Sequence, residues 1–108
     1  MVESFTCPYL STTIELTEER YQHILENHPG TLPDYLTQLA DTLLDPDLIR
    51  SSNRDPSALL FSKWFETIRT GRHLIVVVVN PLPLKRPWIV TVYTARRIAG
   101  GQVVWTKN

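Results

Sequence analysis

Residues 59–79 read LLFSKWFETIRTGRHLIVVVV, and this stretch decides the fold. Leu59 to Ile68 is predicted as a long strand, with Leu59, Phe61, Lys63 and Phe65 alternating onto one face. Thr70-Gly71-Arg72 supplies a hairpin turn. His73 to Val79 is nearly all apolar, the pattern of a central strand covered on both faces or nearly so. Downstream, Trp88 to Ala95 and Gln102 to Thr106 predict two more strands, the second entered through Gly100-Gly101. Between them Pro81 to Pro87 is a proline-rich loop that cannot pair in a sheet. Upstream, Leu48 to Ser52 reads as a short strand, closed by the turn Asn53-Arg54-Asp55-Pro56.

Before Asp45-Pro46-Asp47 the hydrophobic period becomes helical. Leu32, Leu36, Leu39 and Leu43 predict a helix from near Pro33 to Leu44 with one buried stripe. An earlier helix starts at the N-cap Thr17, with Glu18 and Glu19 in the first turn where the helix dipole favours acids. It ends near Asn27 or His28, because Pro29 disfavours helical geometry in the residue before it. Thr12 to Leu16 is a short strand. Helices first and strands afterwards predict an α+β domain: two N-terminal helices packed on an antiparallel sheet of about four to five strands.

A chain of 108 residues has room for one compact domain, spanning 1–108. Its single cysteine, Cys7, excludes an intrachain disulfide and a cysteine-based metal cage, and favours a reducing compartment. The opening Met-Val-Glu-Ser lacks the basic and apolar regions of a secretory signal, and the run Leu74 to Val79 is too short to span a bilayer. The expectation is a cytoplasmic protein with no membrane contact. Net charge is zero, yet it is divided. Residues 1–55 carry three cations and ten acids, whereas residues 56–108 carry eight cations and one acid, Glu66. A basic face that attracts phosphates follows if the halves separate in space. Acids on helix surfaces and cations on strand edges would give the same count.

The candidate site begins in the first helix with Arg20-x-x-His23-x-x-x-x-His28-Pro29. At 100° per residue, Tyr21, Ile24 and Leu25 form the buried stripe, with His28 in its middle and Arg20 and His23 on the rim. His28 is then a general acid or base, or a histidine capping the last carbonyls. His23 is its acid–base partner or a solvent-exposed side chain. Lys63 points into a cleft or protects a sheet edge. Thr91 and Tyr93 share a face with Ile89, and Thr94 takes the other; all three polar residues are site candidates or ordinary strand formers. Arg72, Lys85, Arg86, Arg96 and Arg97 suit a phosphate backbone. Trp64, Trp88, Trp105 and Tyr93 could stack bases or pack the core. Two histidines five apart do not share a helix face and no third ligand is evident, so no metal or cofactor is expected. No phosphate-loop, dinucleotide, zinc or serine-nucleophile motif is present.

The pattern Ile14-x-Leu16-Thr17-x-x-Arg20-x-x-His23-Ile24-x-x-x-His28-Pro29, with Pro46-Asp47-x-Ile49, Lys63 and Val90-Thr91-x-Tyr93-Thr94, resembles the small phage- and toxin-associated nuclease-like domains of the barnase–EndoU–colicin–RelE (BECR) superfamily. The resemblance runs from about Ile14 to Ile98. It implies a curved antiparallel sheet, metal-independent cleavage of RNA, and a toxin or effector role. By position it directs attention to Arg20, His23, His28, Lys63, Thr91, Tyr93 and Thr94. Related motifs often carry an acid after His-Pro, where this chain has Gly30. The expected reaction is attack of an RNA 2′-hydroxyl on its neighbouring phosphate, with His28 and His23 exchanging protons and Arg20 and Lys63 stabilising charge. The other class is a non-catalytic protein-interaction or RNA-binding domain that pairs with an antitoxin-like protein or with a second copy.

Overall fold

A computed structural model of the chain describes residues 3–80 and 86–107. The order is β1 (Glu3–Cys7), a short 3-10 turn (Pro8–Leu10), β2 (Thr12–Leu16), α1 (Glu18–Asn27), α2 (Leu36–Leu44), β3 (Leu48–Ser51), β4 (Ala58–Phe65), β5 (Arg72–Val79), β6 (Trp88–Ala95) and β7 (Gln102–Thr106). All seven strands join one sheet in the order β1-β2-β6-β5-β4-β3-β7.

This overturns the expected sheet in three respects. It has seven strands rather than four or five, it is mixed because β2 runs parallel to β6, and the helices lie mid-chain behind a β1–β2 hairpin. The missed strand β1 has a physical signature: Phe5 and Cys7 point into the core while Ser4 and Thr6 are exposed. Its brevity and the following Pro8 hid that alternation. The parallel contact is a single register pair, Glu15 with Trp88, supported by the Glu15 amide donating to the Pro87 carbonyl. Two boundaries also move by three residues, and others by one. α2 starts at Leu36 rather than Pro33, and β4 ends at Phe65, after which a turn carries the chain to β5. The predicted proline-rich loop lies largely outside the described residues.

One core joins the layers. Phe61, Leu74, Val76 and Val78 from β4 and β5 meet Ile14 and Leu16 of β2, Ile24 of α1, and Leu39 and Leu43 of α2. α2 therefore covers one sheet face. The other face carries Leu60, Ser62, Ile75 and Val77 in register, and Arg50 of β3 beside Leu60.

Two cross-sheet devices depend on arginine. β2 covers β6 at one position only, so the β6 edge would otherwise be open. α1 finishes it: Arg20 donates from Nε and Nη2 to the Val90 carbonyl at 2.9 and 2.6 Å. Thr17 starts that helix as its N-cap, its hydroxyl accepting from the Arg20 amide at 3.2 Å. The second device holds the connection from β6 to β7, residues 96–101, which must pass β5, β4 and β3 to reach the far edge. Arg50, 2 % exposed, donates from Nη1 to the Ala99 and Gly100 carbonyls at 2.5 and 2.6 Å and clasps the crossover to the sheet.

Candidate functional site

α1 ends at Asn27, and His28 is its C-cap, with its amide donating to the Ile24 carbonyl at 2.8 Å. The cap turns the imidazole onto Tyr93 of β6, with ring centroids 5.8 Å apart and planes at 30°. Tyr93 faces away from α2, because it pairs with Ile75 while its neighbour Val92 pairs with the core residue Val76. Both rings are half-buried. Among the described residues neither imidazole nitrogen of His28 nor the Tyr93 hydroxyl is used in a hydrogen bond, so both polar ends are open to a ligand.

Cations gather at the same end of the sheet. The β4–β5 turn takes three successive left-handed conformations, Arg69 (φ 46°), Thr70 (φ 63°) and Gly71 (φ 117°). Arg72 ties it by donating from Nη1 to the Arg69 and Gly71 carbonyls at 3.0 and 2.7 Å. Arg69 Nη2 lies 4.0 Å from where a Cβ on Gly30 would stand, so the turn sits beside the segment that follows His28. Arg96 and Arg97 leave β6 at this end, since Ala95 pairs with His73 next to Arg72. Among the described residues Arg69, Arg72, Arg96 and Arg97 have no carboxylate partner, and the acid in the turn, Glu66, is exposed. The potential here is positive.

An aromatic surface adjoins the cations. Trp64 shares the face of Tyr93 and is 42 % exposed; its ring meets His73 edge-on at 4.9 Å. Burial pushes the His73 imidazole below its ordinary pKa, an effect countered by Asp47 and reinforced by Arg50. The indole rests on the backbone of Gly71, where an added Cβ would come within 2.5 Å of Trp64 Cζ2. At φ 117° a side chain is strained as well. Gly71→Ala is therefore expected to cost about 1–3 kcal/mol in urea denaturation and to raise Trp64 fluorescence accessibility to quencher.

The other predicted site residues are placed elsewhere. Arg20 spends two of its nitrogens on Val90. His23 Nδ1 lies 3.3 Å from the Asn27 amide on the outer side of α1, so the two histidines do not form a pair. Lys63 is on the α2 face and donates to the Asp45 carbonyl at 2.8 Å and to its carboxylate at 3.2 Å. Thr91 and Thr94 lie on opposite faces, paired with Val77 and Leu74, and the Thr91 Oγ1 is buried without a hydrogen-bond partner among the described residues. Arg86 enters β6 at the end remote from Arg96 and Arg97, and Lys85 is outside the described residues. Sequence reasoning gave Arg69 no site role. Its position beside Gly30 follows from how the β4–β5 turn meets the α1–α2 segment. Among the described residues no group of three or more His, Cys, Asp or Glu could hold a metal ion.

Asp45 gives a pH prediction. Hydrogen bonds from Lys107 (2.8 Å) and then Lys63 hold its carboxyl below the ordinary carboxylate range. A depressed folded-state pKa stabilises above the unfolded value, near about 4, and that contribution is lost as pH falls through the folded value. The wild-type urea midpoint should therefore fall on acidification below about pH 4, and fall less in Asp45→Asn, with a small difference because the pair is exposed.

Comparison of the chain with protein-family models, with curated proteins and with solved structures found no match in any of the three. No helix among the described residues is long and apolar enough to cross a membrane.

Proposed function

We propose that the chain binds single-stranded RNA along the sheet end that carries Trp64 and Tyr93, and cleaves it at His28 without a metal ion. The observation that carries this reading is the contact of His28 with Tyr93, at the sheet end where Arg69, Arg96 and Arg97 lie with no carboxylate opposing them among the described residues, while Arg72 holds the β4–β5 turn. Exposed aromatic rings stack bases whatever their identity, and cations follow the backbone. His28 removes the proton from a 2′-hydroxyl, whose oxygen attacks the adjacent phosphorus. The Tyr93 hydroxyl gives its proton to the leaving 5′-oxygen. The products are a 2′,3′-cyclic phosphate and a 5′-hydroxyl, and water returns the His28 proton to Tyr93. The arginines stabilise the charge on the phosphate oxygens. Arg20 and Lys63 hold the scaffold instead.

RNA affinity measured against salt tests the binding half. The slope of log K on log salt changes by about 0.7 for each phosphate contact on a single strand. Replacing Arg69, Arg96 and Arg97 by Gln together should flatten it by roughly 2. An unchanged slope would remove these arginines from the interface.

A second reading, a protein-interaction domain, has one observation in its favour. β7 is an edge strand on which Val103, Val104 and Trp105 are all exposed, an uncharged apolar row where edges ordinarily carry charge. Salt-insensitive RNA binding together with concentration-dependent sedimentation would favour an antitoxin-like partner or a second copy.

A further inference from the structure

The sheet face opposite α2 holds a cavity of about 680 Å³. Its floor is aliphatic, with Leu60, Val77 and Val90. Its rim is the β3–β4 turn with Asn53 and Arg54, and the crossover at residues 99–101 forms the facing wall. Tyr93 lines this cavity and also touches His28. The cavity and the candidate cleavage site are therefore one continuous surface.

We infer that this cavity receives the RNA base next to the cleaved phosphate and sets the base preference of the cleavage, an inference that rests on the RNA reading above. The volume falls within the range of ligand sites and exceeds one base, leaving room for the attached sugar. The floor offers a flat apolar surface to the face of a ring. The rim supplies a reading edge. Ser52 Oγ accepts from the amides of Arg54 and Asp55, and the Asp55 carboxylate accepts from the Ser57 amide and hydroxyl at 3.0 and 2.7 Å. Those bonds fix the turn and occupy Asp55. The side chains of Asn53 and Arg54 make no hydrogen bond or ion pair among the described residues, and they are left for a ligand. An amide presents a donor and an acceptor side by side, and a guanidinium presents donors only. That combination suits the polar edge of a nucleobase and not an acyl chain. The spacing also fits: Leu60 pairs with Val77, and Ile75, two residues along β5, pairs with Tyr93. Two strand residues span about 7 Å, a distance one nucleotide bridges.

The test is NMR titration of the protein with each of the four ribonucleoside 3′-monophosphates, and with inorganic phosphate as the control. One base should shift the Leu60, Val77 and Val90 methyls and the Asn53 side-chain amide, with a Kd roughly tenfold below the others, the discrimination a few placed contacts supply. Inorganic phosphate should shift only the arginine end. Val77→Phe fills the cavity from its floor and should abolish the base-dependent shifts while keeping the phosphate response. Asn53→Ala, on an exposed turn, should remove the preference with the fold intact. Methyl shifts absent for all four nucleotides, or equal for all four, overturn the inference, and a persisting salt-dependent RNA affinity would show that the RNA reading survives it. Base-selective methyl shifts in a protein that binds no RNA overturn the RNA reading instead and leave a nucleotide pocket.

Discussion

In EDTA at low salt the wild-type protein is expected to cut single-stranded RNA into fragments ending in a 2′,3′-cyclic phosphate, and His28→Ala to slow that cut by about 10²–10⁴-fold. The magnitude is that of one positioned acid–base group. His28 is singled out by geometry, because the other two histidines are engaged elsewhere. His23 is turned to Asn27 on the outer side of α1, and His73 packs edge-on against Trp64. His23→Ala should accordingly leave the rate unchanged. Tyr93→Phe keeps the ring contact with His28 and removes only the hydroxyl, so a loss of rate there reports the proton donor rather than packing. A folded His28→Ala protein with the full wild-type rate would end the catalytic assignment, and a matching loss in His23→Ala would restore the two-histidine scheme.

The strands from Leu48 onward were legible because their signals are local. An unbroken apolar run, Leu74 to Val79, marks the centre of the sheet, and Gly71 and Gly100-Gly101 mark its turns. What was not legible depends on partners distant in sequence. The spacing of Ile89, Thr91 and Tyr93 predicts one face for all three. In the structure Ile89 pairs with Val78, Thr91 with Val77 and Val92 with Val76, so β6 has one residue more than β5 at Val90. That bulge flips the parity of the strand. Ile89 enters the core with Val92, and Tyr93 faces the opposite side. The Val90 carbonyl receives the Arg20 guanidinium, which turns a predicted phosphate ligand into the cap of a sheet edge.

The site shows the same division. That His28 closes a helix could be read from Pro29, and that Tyr93 sits on a strand from its neighbours. Their contact could not, because it requires α1 to lie along β6. Lys63 is the opposite case. Strand alternation places it in the series with Phe61 and Phe65, but the side facing α2 holds Asp45, and a cation that would serve a phosphate in open solvent is held by that acid here.

Arg50→Met is expected to lower stability by about 2–4 kcal/mol, the balance of two opposing effects. Against the wild type, the guanidinium is buried with no carboxylate partner among the described residues and its Nε makes no hydrogen bond, so removing the charge recovers desolvation cost. In its favour, Nη1 satisfies two carbonyls, and hydrogen bonds from charged donors contribute about 1.5–3 kcal/mol each. The second effect wins because the lost carbonyl partners belong to a segment with few alternatives. Gly101, at φ 74°, packs so closely on β3 that an added Cβ would collide with the Ser51 carbonyl. The crossover has no room to slide to a new position, and it must lift. The damage should therefore be concentrated. Amides of β7 should exchange faster by about 10–100-fold, more than those of β5, whose ladders on both sides remain intact. Arg50→Lys should recover only part of the loss, because the lysine side chain is shorter and its ammonium, more strongly hydrated than a guanidinium, costs more to bury. Equal acceleration of β5 and β7 would mean that Arg50 supports the whole domain, and an unchanged urea midpoint would mean that desolvation cancels the two bonds. A lifted crossover also removes one wall of the cavity beside Tyr93. The same variant should then weaken base preference while leaving phosphate binding at Arg69, Arg96 and Arg97 in place.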